Sequence, residues 1–149
     1  QRFQRFNLPT IIDQENAELG PLSGLLAALD WQNQYANDCT ALATVSTDVP
    51  FLPVDLVQRL ENAREGGIAV AMSDEQRHPT VALWPVTVRA AIADALQQRR
   101  LSVNALTKQL NAVAVPFAMR NIEGTALDPF LNVNTLDDLT AARAFVGKA

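Results

Sequence analysis

The sequence predicts an α/β fold in which a mostly parallel sheet carries helices on both faces. Strand-like and helix-like patterns alternate along most of the chain, the signature of strands joined by helical crossovers. The continuous apolar run from Ala41 to Ser46 is of the type that fills a central parallel strand. At 149 residues with 48% hydrophobic content, the chain is long enough to bury one core and too short to require two. A single domain spanning 1–149 is therefore expected.

Leu8 to Ile12 reads as a short strand ending at Asp13, and a polar loop leads on to Gly20-Pro21. Proline suits the first helical turn, where its missing N–H removes a donor that would be unpaired anyway. Leu22, Leu25, Leu26 and Leu29 then repeat at helical spacing, and that helix should fade between Tyr35 and Asp38. Beyond the strand at Ala41 to Ser46, Pro53 opens a helix with Leu56, Val57 and Leu60 inward, stopped by Gly66-Gly67. Strands are expected at Ile68 to Met72 and, after a polar link from Ser73 to His78, at Thr80 to Trp84.

A helix follows from Val86 to about Arg99 with Val88, Ile92 and Leu96 on one stripe, and a shorter one from Val103 to Leu110. Two helices in succession break the strict alternation. Ala112 to Met119 reads as a strand. The last helix starts at Thr135, where Asp138 three residues on makes a capping-box pattern, with Leu136, Leu139 and Val146 inward.

Net charge and cysteine count exclude several functions. A net charge of −4 and a pI near 4.9 leave no basic face to neutralise a nucleic-acid backbone, although a single nucleotide handled through a metal stays compatible. Cys39 is the only cysteine, so an intrachain disulfide and a thiolate metal cluster are both excluded. No apolar run has the length of a membrane span, and the opening Gln-Arg-Phe-Gln-Arg-Phe has no hydrophobic signal core after its charges. A cytoplasmic protein is expected, and the start of the chain reads as a piece of something longer.

Two segments concentrate the candidate chemistry. Ser46 to Pro53 places Asp48 just past a strand, and Phe130 to Leu139 places Asn132 and Asn134 just before a helix; open α/β sheets hold ligands at such positions. Asp48 could hold Mg²⁺, which takes one or two carboxylates plus phosphates and water, or could cap the following loop. Asn132 and Asn134 alternate with Val133, so in an extended segment both amides share one face, although asparagine beside a helix start also serves as a cap. Gly20-Pro21-Leu22-Ser23-Gly24 brings backbone N–H groups to a helix start, which suits an anion or simply close packing. Asp13 could accept hydrogen bonds from a ribose or base, or lie exposed in a loop. His78 has no partner histidine, which argues against a histidine metal site or triad, and Cys39 reads as incidental.

Taken in order, Asp13 ahead of Gly-Pro-Leu-Ser-Gly, then Ser-Thr-Asp-Val-Pro-Phe-Leu-Pro-Val-Asp-Leu, His-Pro-Thr-Val-Ala-Leu-Trp and Phe-Leu-Asn-Val-Asn-Thr-Leu-Asp-Asp-Leu resemble the bacterial molybdenum cofactor guanylyltransferases. Val103-Asn104-Ala105-Leu106-Thr107 is also similar to a segment of that family, and the likeness runs from about Leu8 to Phe145. The resemblance implies a three-layer Rossmann-like nucleotidyltransferase fold. It implies Mg²⁺-dependent transfer of GMP from GTP to the terminal phosphate of molybdopterin, with release of pyrophosphate. It places Mg²⁺ and the nucleotide phosphates at Asp48, the guanine nucleotide at Asp13 and the Gly20, Pro21 and Leu22 segment, and the acceptor at Asn132 and Asn134.

GTP and molybdopterin are the partners implied, with cofactor-synthesis proteins and molybdoenzymes beyond them; neither nucleic acid nor membrane is. The family opens with a strand, a Leu-Ala-Gly-Gly loop, an Arg-Met-Gly segment and a lysine that have no counterpart here, so the domain reads as incomplete at its amino terminus. A cytidylyl or sugar-phosphate nucleotidyltransferase and a non-catalytic nucleotide- or pterin-binding fragment are the competing readings.

Overall fold

The computed structural model describes residues 6–11 and 19–146. The chain forms two compact units, one made of Gln1–Leu42 with Pro85–Val103 and the other of Ala43–Trp84 with Asn104–Ala149. In the first unit, helix α1 (Pro21–Tyr35) buries Leu22, Leu25 and Leu29 and packs on α3 (Arg89–Gln97), which buries Ile92 and Ala95. Proline at the first position and Gly20 at φ 67° start α1. Its far end is closed by the buried Gln32 amide, which donates to the carbonyls of Ala36 at 2.7 Å and Cys39 at 2.9 Å. A single 3₁₀ turn, Val86–Val88, precedes α3, and Arg89 pairs with Asp30 of α1.

A four-stranded sheet, whose residues fall in the second unit except for Ala41, Leu42 and Pro85, has the order β1 (Ala41–Thr44), β3 (Gln76–Pro85), β2 (Ala69–Ser73), β4 (Val113–Pro116). The sheet is mixed and not mostly parallel: β2 runs parallel to β4 but antiparallel to β3. The cause is the two-residue turn Asp74-Glu75, with φ of 44° and 63°, because a connection that short can only return antiparallel. What looked like a polar link is therefore the start of β3. Strand β1 ends the row of described strands instead of lying centrally, and its Ala43 is exposed.

A bulge interrupts the β2–β3 ladder. Val70 faces Ala82 and the next residue, Ala71, faces His78, so Pro79, Thr80 and Val81 are left over on β3. Proline has no N–H to give a ladder, which fits the break. Helix α2 (Leu56–Ala63) packs on β2 and β4 through Leu56 and Leu60, whereas Val57, expected inward, is 52% exposed. It stops where Glu65 and Gly66 take φ of 47° and 83°.

Helix α4 (Val103–Gln109) buries Leu106 and Thr107, and β4 stops at Pro116 rather than running to Met119. A small hairpin that the sequence did not suggest follows, β5 (Arg120–Ile122) with β6 (Thr125–Leu127). Helix α5 (Leu136–Arg143) has the expected capping box between Thr135 and Asp138. Its inward face differs: Ala142 joins Phe51, Ile122 and Leu127 in a core cluster that Phe145 packs against, while Leu136 and Val146 are 80% and 68% exposed. The capping box fixes where the helix begins, and that rotation turns Leu136 to solvent. Leu8 to Ile11 form no strand; Leu8 and Ile11 are exposed, and no described strand pairs with them.

Candidate functional site

Asp48 is held by the two ends of the second unit's sequence. The segment leaving β1 is fastened to β3 where the Ser46 hydroxyl donates to Thr80 Oγ1 at 2.9 Å and the Trp84 indole donates to Thr44 Oγ1 at 2.9 Å. Asp48 then sits in a turn closed by the Val49 N–H on the Ser46 carbonyl at 3.4 Å, with Val49 and Phe51 buried behind it. From 84 residues further on, the Asn132 side-chain amide donates to Asp48 Oδ2 at 3.1 Å. The Val133 N–H donates to the Asp48 carbonyl at 2.8 Å.

The alternation read from the sequence thus holds, with Val133 packed on the core cluster and Asn132 and Asn134 exposed. The Asn134 N–H donates to Asp138 Oδ2 at 3.1 Å, beside the Thr135 N–H at 2.9 Å. Those donors hold the Asp138 carboxyl below the usual carboxylate range.

The other carboxylate oxygen of Asp48 is the informative atom. Oδ1 is buried and has no hydrogen-bond partner among the described residues. A buried carboxylate oxygen left without a donor is costly, and a hard cation or a donor on a ligand removes the cost. The donor set fits Mg²⁺, which needs few protein carboxylates when phosphates and water complete its shell. Among the described residues no group of three or more His, Cys, Asp and Glu side chains forms an all-protein metal site.

Sequence reasoning missed the support beneath this site. Ser73, buried at the end of β2, donates its hydroxyl to Asp128 Oδ1 at 2.8 Å and lies 2.7 Å from His78 Nε2. With the single hydroxyl proton given to Asp128, His78 Nε2 carries its own proton and donates to Ser73 Oγ. His78 therefore does not draw a proton from Ser73, and the three residues are not a nucleophilic triad. Burial pushes the His78 pKa below its ordinary value, with the Asp128 charge opposing, so the ring is neutral near pH 7.

Asp128 Oδ1 also accepts the Phe130 N–H at 2.8 Å, and the Phe130 ring packs against His78 and edge-on against Phe117. The run from Asp128 to Asn134 is pinned at one end by this network and at the other by Asp48. Asp128-Pro129, an aspartate set to bond two residues onward, was the available signal.

In the first unit, Ser23 Oγ donates to the Gly20 carbonyl at 2.7 Å, and the Leu22 side chain is fully buried, so Leu22 has only backbone to offer a ligand. Pro21 has no N–H. Asp13 lies outside the described residues. Cys39 is exposed and unpaired with any cysteine.

A carboxylate just past a strand of an open α/β sheet, one oxygen bonded and the other without a donor among the described residues, lies where such sheets hold ligands. Residues 1–113 match the family described as MobA-like NTP transferase domain, and the chain belongs to that family. Over 146 residues it is 41% identical to a molybdenum cofactor guanylyltransferase of Mesorhizobium japonicum, covering 95% of this chain and 69% of that protein. A protein of the same name from Rhodopseudomonas palustris is 39% identical, covering 95% of this chain and 65% of the relative. The chain spans about two thirds of the length of these relatives.

The fold is shared with the solved structure of molybdopterin-guanine dinucleotide biosynthesis protein A from Archaeoglobus fulgidus. That match has a TM-score of 0.69 at 18% identity, covering 98% of this chain and 72% of the other. Among the described residues no helix is long and apolar enough to cross a membrane.

Proposed function

We propose that this chain is the larger part of an enzyme that transfers GMP from GTP to the terminal phosphate of molybdopterin. The observation that carries the reading is the buried Oδ1 of Asp48, without a donor among the described residues, beside an Asn132 amide already bonded to Oδ2. An oxygen of the acceptor phosphate forms a bond to the α-phosphorus of GTP, the bond from that phosphorus to the bridging oxygen breaks, and pyrophosphate leaves with the electron pair. A phosphate oxygen is already a nucleophile, so no residue need remove a proton, and positioning with charge stabilisation is what the protein must supply.

Asp48, through Oδ1, would hold Mg²⁺, which when bound would neutralise charge on the reacting phosphates. Asn132 orients that carboxylate and, with Asn134, offers neutral amides to the acceptor. Asp13 and the Gly20, Pro21 and Leu22 backbone serve the nucleotide.

Isothermal titration of the 149-residue chain with GTP, with and without Mg²⁺ and beside Asp48→Ala, tests the reading. Mg²⁺-dependent binding that the substitution abolishes is expected. Equal binding by both proteins removes Asp48 from the metal role, and preference for CTP in competition replaces guanylyl with cytidylyl transfer.

A further inference from the structure

Beyond the turn that carries Asp48, the chain from Pro50 to Asp55 rims a hollow of about 510 Å³ that Phe117, Arg120 and Pro129 also line. Its volume is in the range of small-molecule sites. The rim is apolar and turned to solvent: Pro50 is exposed, Leu52 is half-buried and Val54 is 107% exposed. Val54, on a segment held by the buried Phe51, presents its side chain to solvent at the rim.

Two guanidiniums face the same hollow and differ in state. Arg59 is committed, stacked 4.0 Å over the Phe117 ring, bonded to the Pro116 carbonyl and 3.8 Å from Asp55. Arg120 is exposed at the start of β5 and has neither an ion pair nor a side-chain hydrogen bond among the described residues. A planar fork of donors beside an apolar rim suits a flat ring system that carries an anion.

Two of the hollow's lining residues are close in sequence to the site already described. Pro50 follows Asp48 by two residues, and Pro129 precedes Asn132 by three. We propose that this hollow holds the pterin body of the acceptor, with Pro50, Leu52 and Val54 against the ring and Arg120 donating to its anionic substituent. The acceptor's phosphate then extends toward Asp48. The inference rests on the guanylyl-transfer reading for the acceptor's identity, but the binding it predicts is separable from the chemistry.

The test uses pterin-6-carboxylate, a fluorescent flat heterocycle with one carboxylate and no phosphate, titrated against the full 149-residue chain. Wild type should bind it, Arg120→Ala should weaken binding at least about tenfold, and Arg120→Lys should restore only part, because a point charge replaces a fork. Val54→Asp, a substitution of a solvent-facing side chain, should weaken it by repulsion, while Asp48→Ala should leave it unchanged. No binding by wild type, or equal binding by wild type, Arg120→Ala and Val54→Asp, overturns the proposal. Pterin binding that survives Asp48→Ala together with unaltered Mg²⁺-dependent GTP binding in that variant would leave this pocket standing and sink the metal assignment instead.

Discussion

Replacing Ser73 by alanine tests whether the network under the site is a fastening or an ornament. The hydroxyl is buried, gives its proton to Asp128 and receives one from His78. A net hydrogen bond is worth about 1 kcal/mol and one to a charged group about 1.5–3 kcal/mol, and a buried donor left unsatisfied costs about 1–3 kcal/mol. Allowing for overlap between these terms, Ser73→Ala should lower stability by about 3 kcal/mol. At this chain length that corresponds to a fall in Tm of about 10 °C.

Urea unfolding at pH 7.5 of wild type, Ser73→Ala, Asp128→Ala and the double variant gives the pairwise term directly. A coupling of at least about 1 kcal/mol is expected between residues in such contact. The same variant should speed hydrogen exchange at the Phe130 and Val133 amides, the donors to Asp128 and Asp48. A loss below about 1 kcal/mol with additive single variants would refute the reasoning and reduce the three residues to neighbours.

Acid should expose His78: its folded pKa lies below the ordinary 6.5, so the unfolded chain binds the proton more readily. The stability it contributes is complete above about pH 6.5 and is lost as pH falls through the lower, folded value. Unfolding midpoints at pH 7.5 and 5.5 should therefore differ less in His78→Asn than in wild type, and an identical pH dependence would exonerate the ring. Thr135→Ala breaks the capping box and should cost about 1 kcal/mol in thermal unfolding; no change would mean the cap is redundant. Asn132→Ala should weaken Mg²⁺-dependent GTP binding less than Asp48→Ala does, since it removes an orienting amide and leaves the carboxylate; titration that ranks the two in reverse would reassign the roles.

The sequence was legible where local chemistry decides structure. Proline at the start of α1, the glycine pair after α2 and the Thr135–Asp138 cap each act within a few residues and were readable without a partner. The β2–β3 hairpin was not, because its turn uses Asp74-Glu75, two side-chain-bearing residues at positive φ, in place of the Asn-Gly or Asp-Gly that usually signals one. Mistaking that turn for a link produced the expectation of a mostly parallel sheet. The exposure of Val57 and Leu136 depends on what the opposite side of each helix packs against, which periodicity cannot supply, and Val146 falls past the end of α5.

At the site, Asp48 and Asn132 were singled out separately by pattern, and the family resemblance alone tied them to one active site. Their hydrogen bond spans 84 residues and is beyond any local window. Ser73 and Asp128 were missed for a related reason, since a buried hydroxyl and a loop carboxylate gain meaning only when the fold joins them.

Asp48 touches its partner strand-like segment twice, through its main-chain carbonyl to Val133 and through its side chain to Asn132. Those consecutive residues point opposite ways, so the pair works as a ruler with a one-residue graduation. Insert or delete a single residue between the Asp128 fastening and Thr135, and an apolar side chain, Leu131 or Val133, comes to face the carboxylate where the amide had been. The buried oxygen would then lose its aim while the core cluster lost its valine. Length between Asp128 and Thr135 is thus constrained more tightly than identity at most of its positions. A library that varies loop length there should fail as a block, even where one that varies residues would survive.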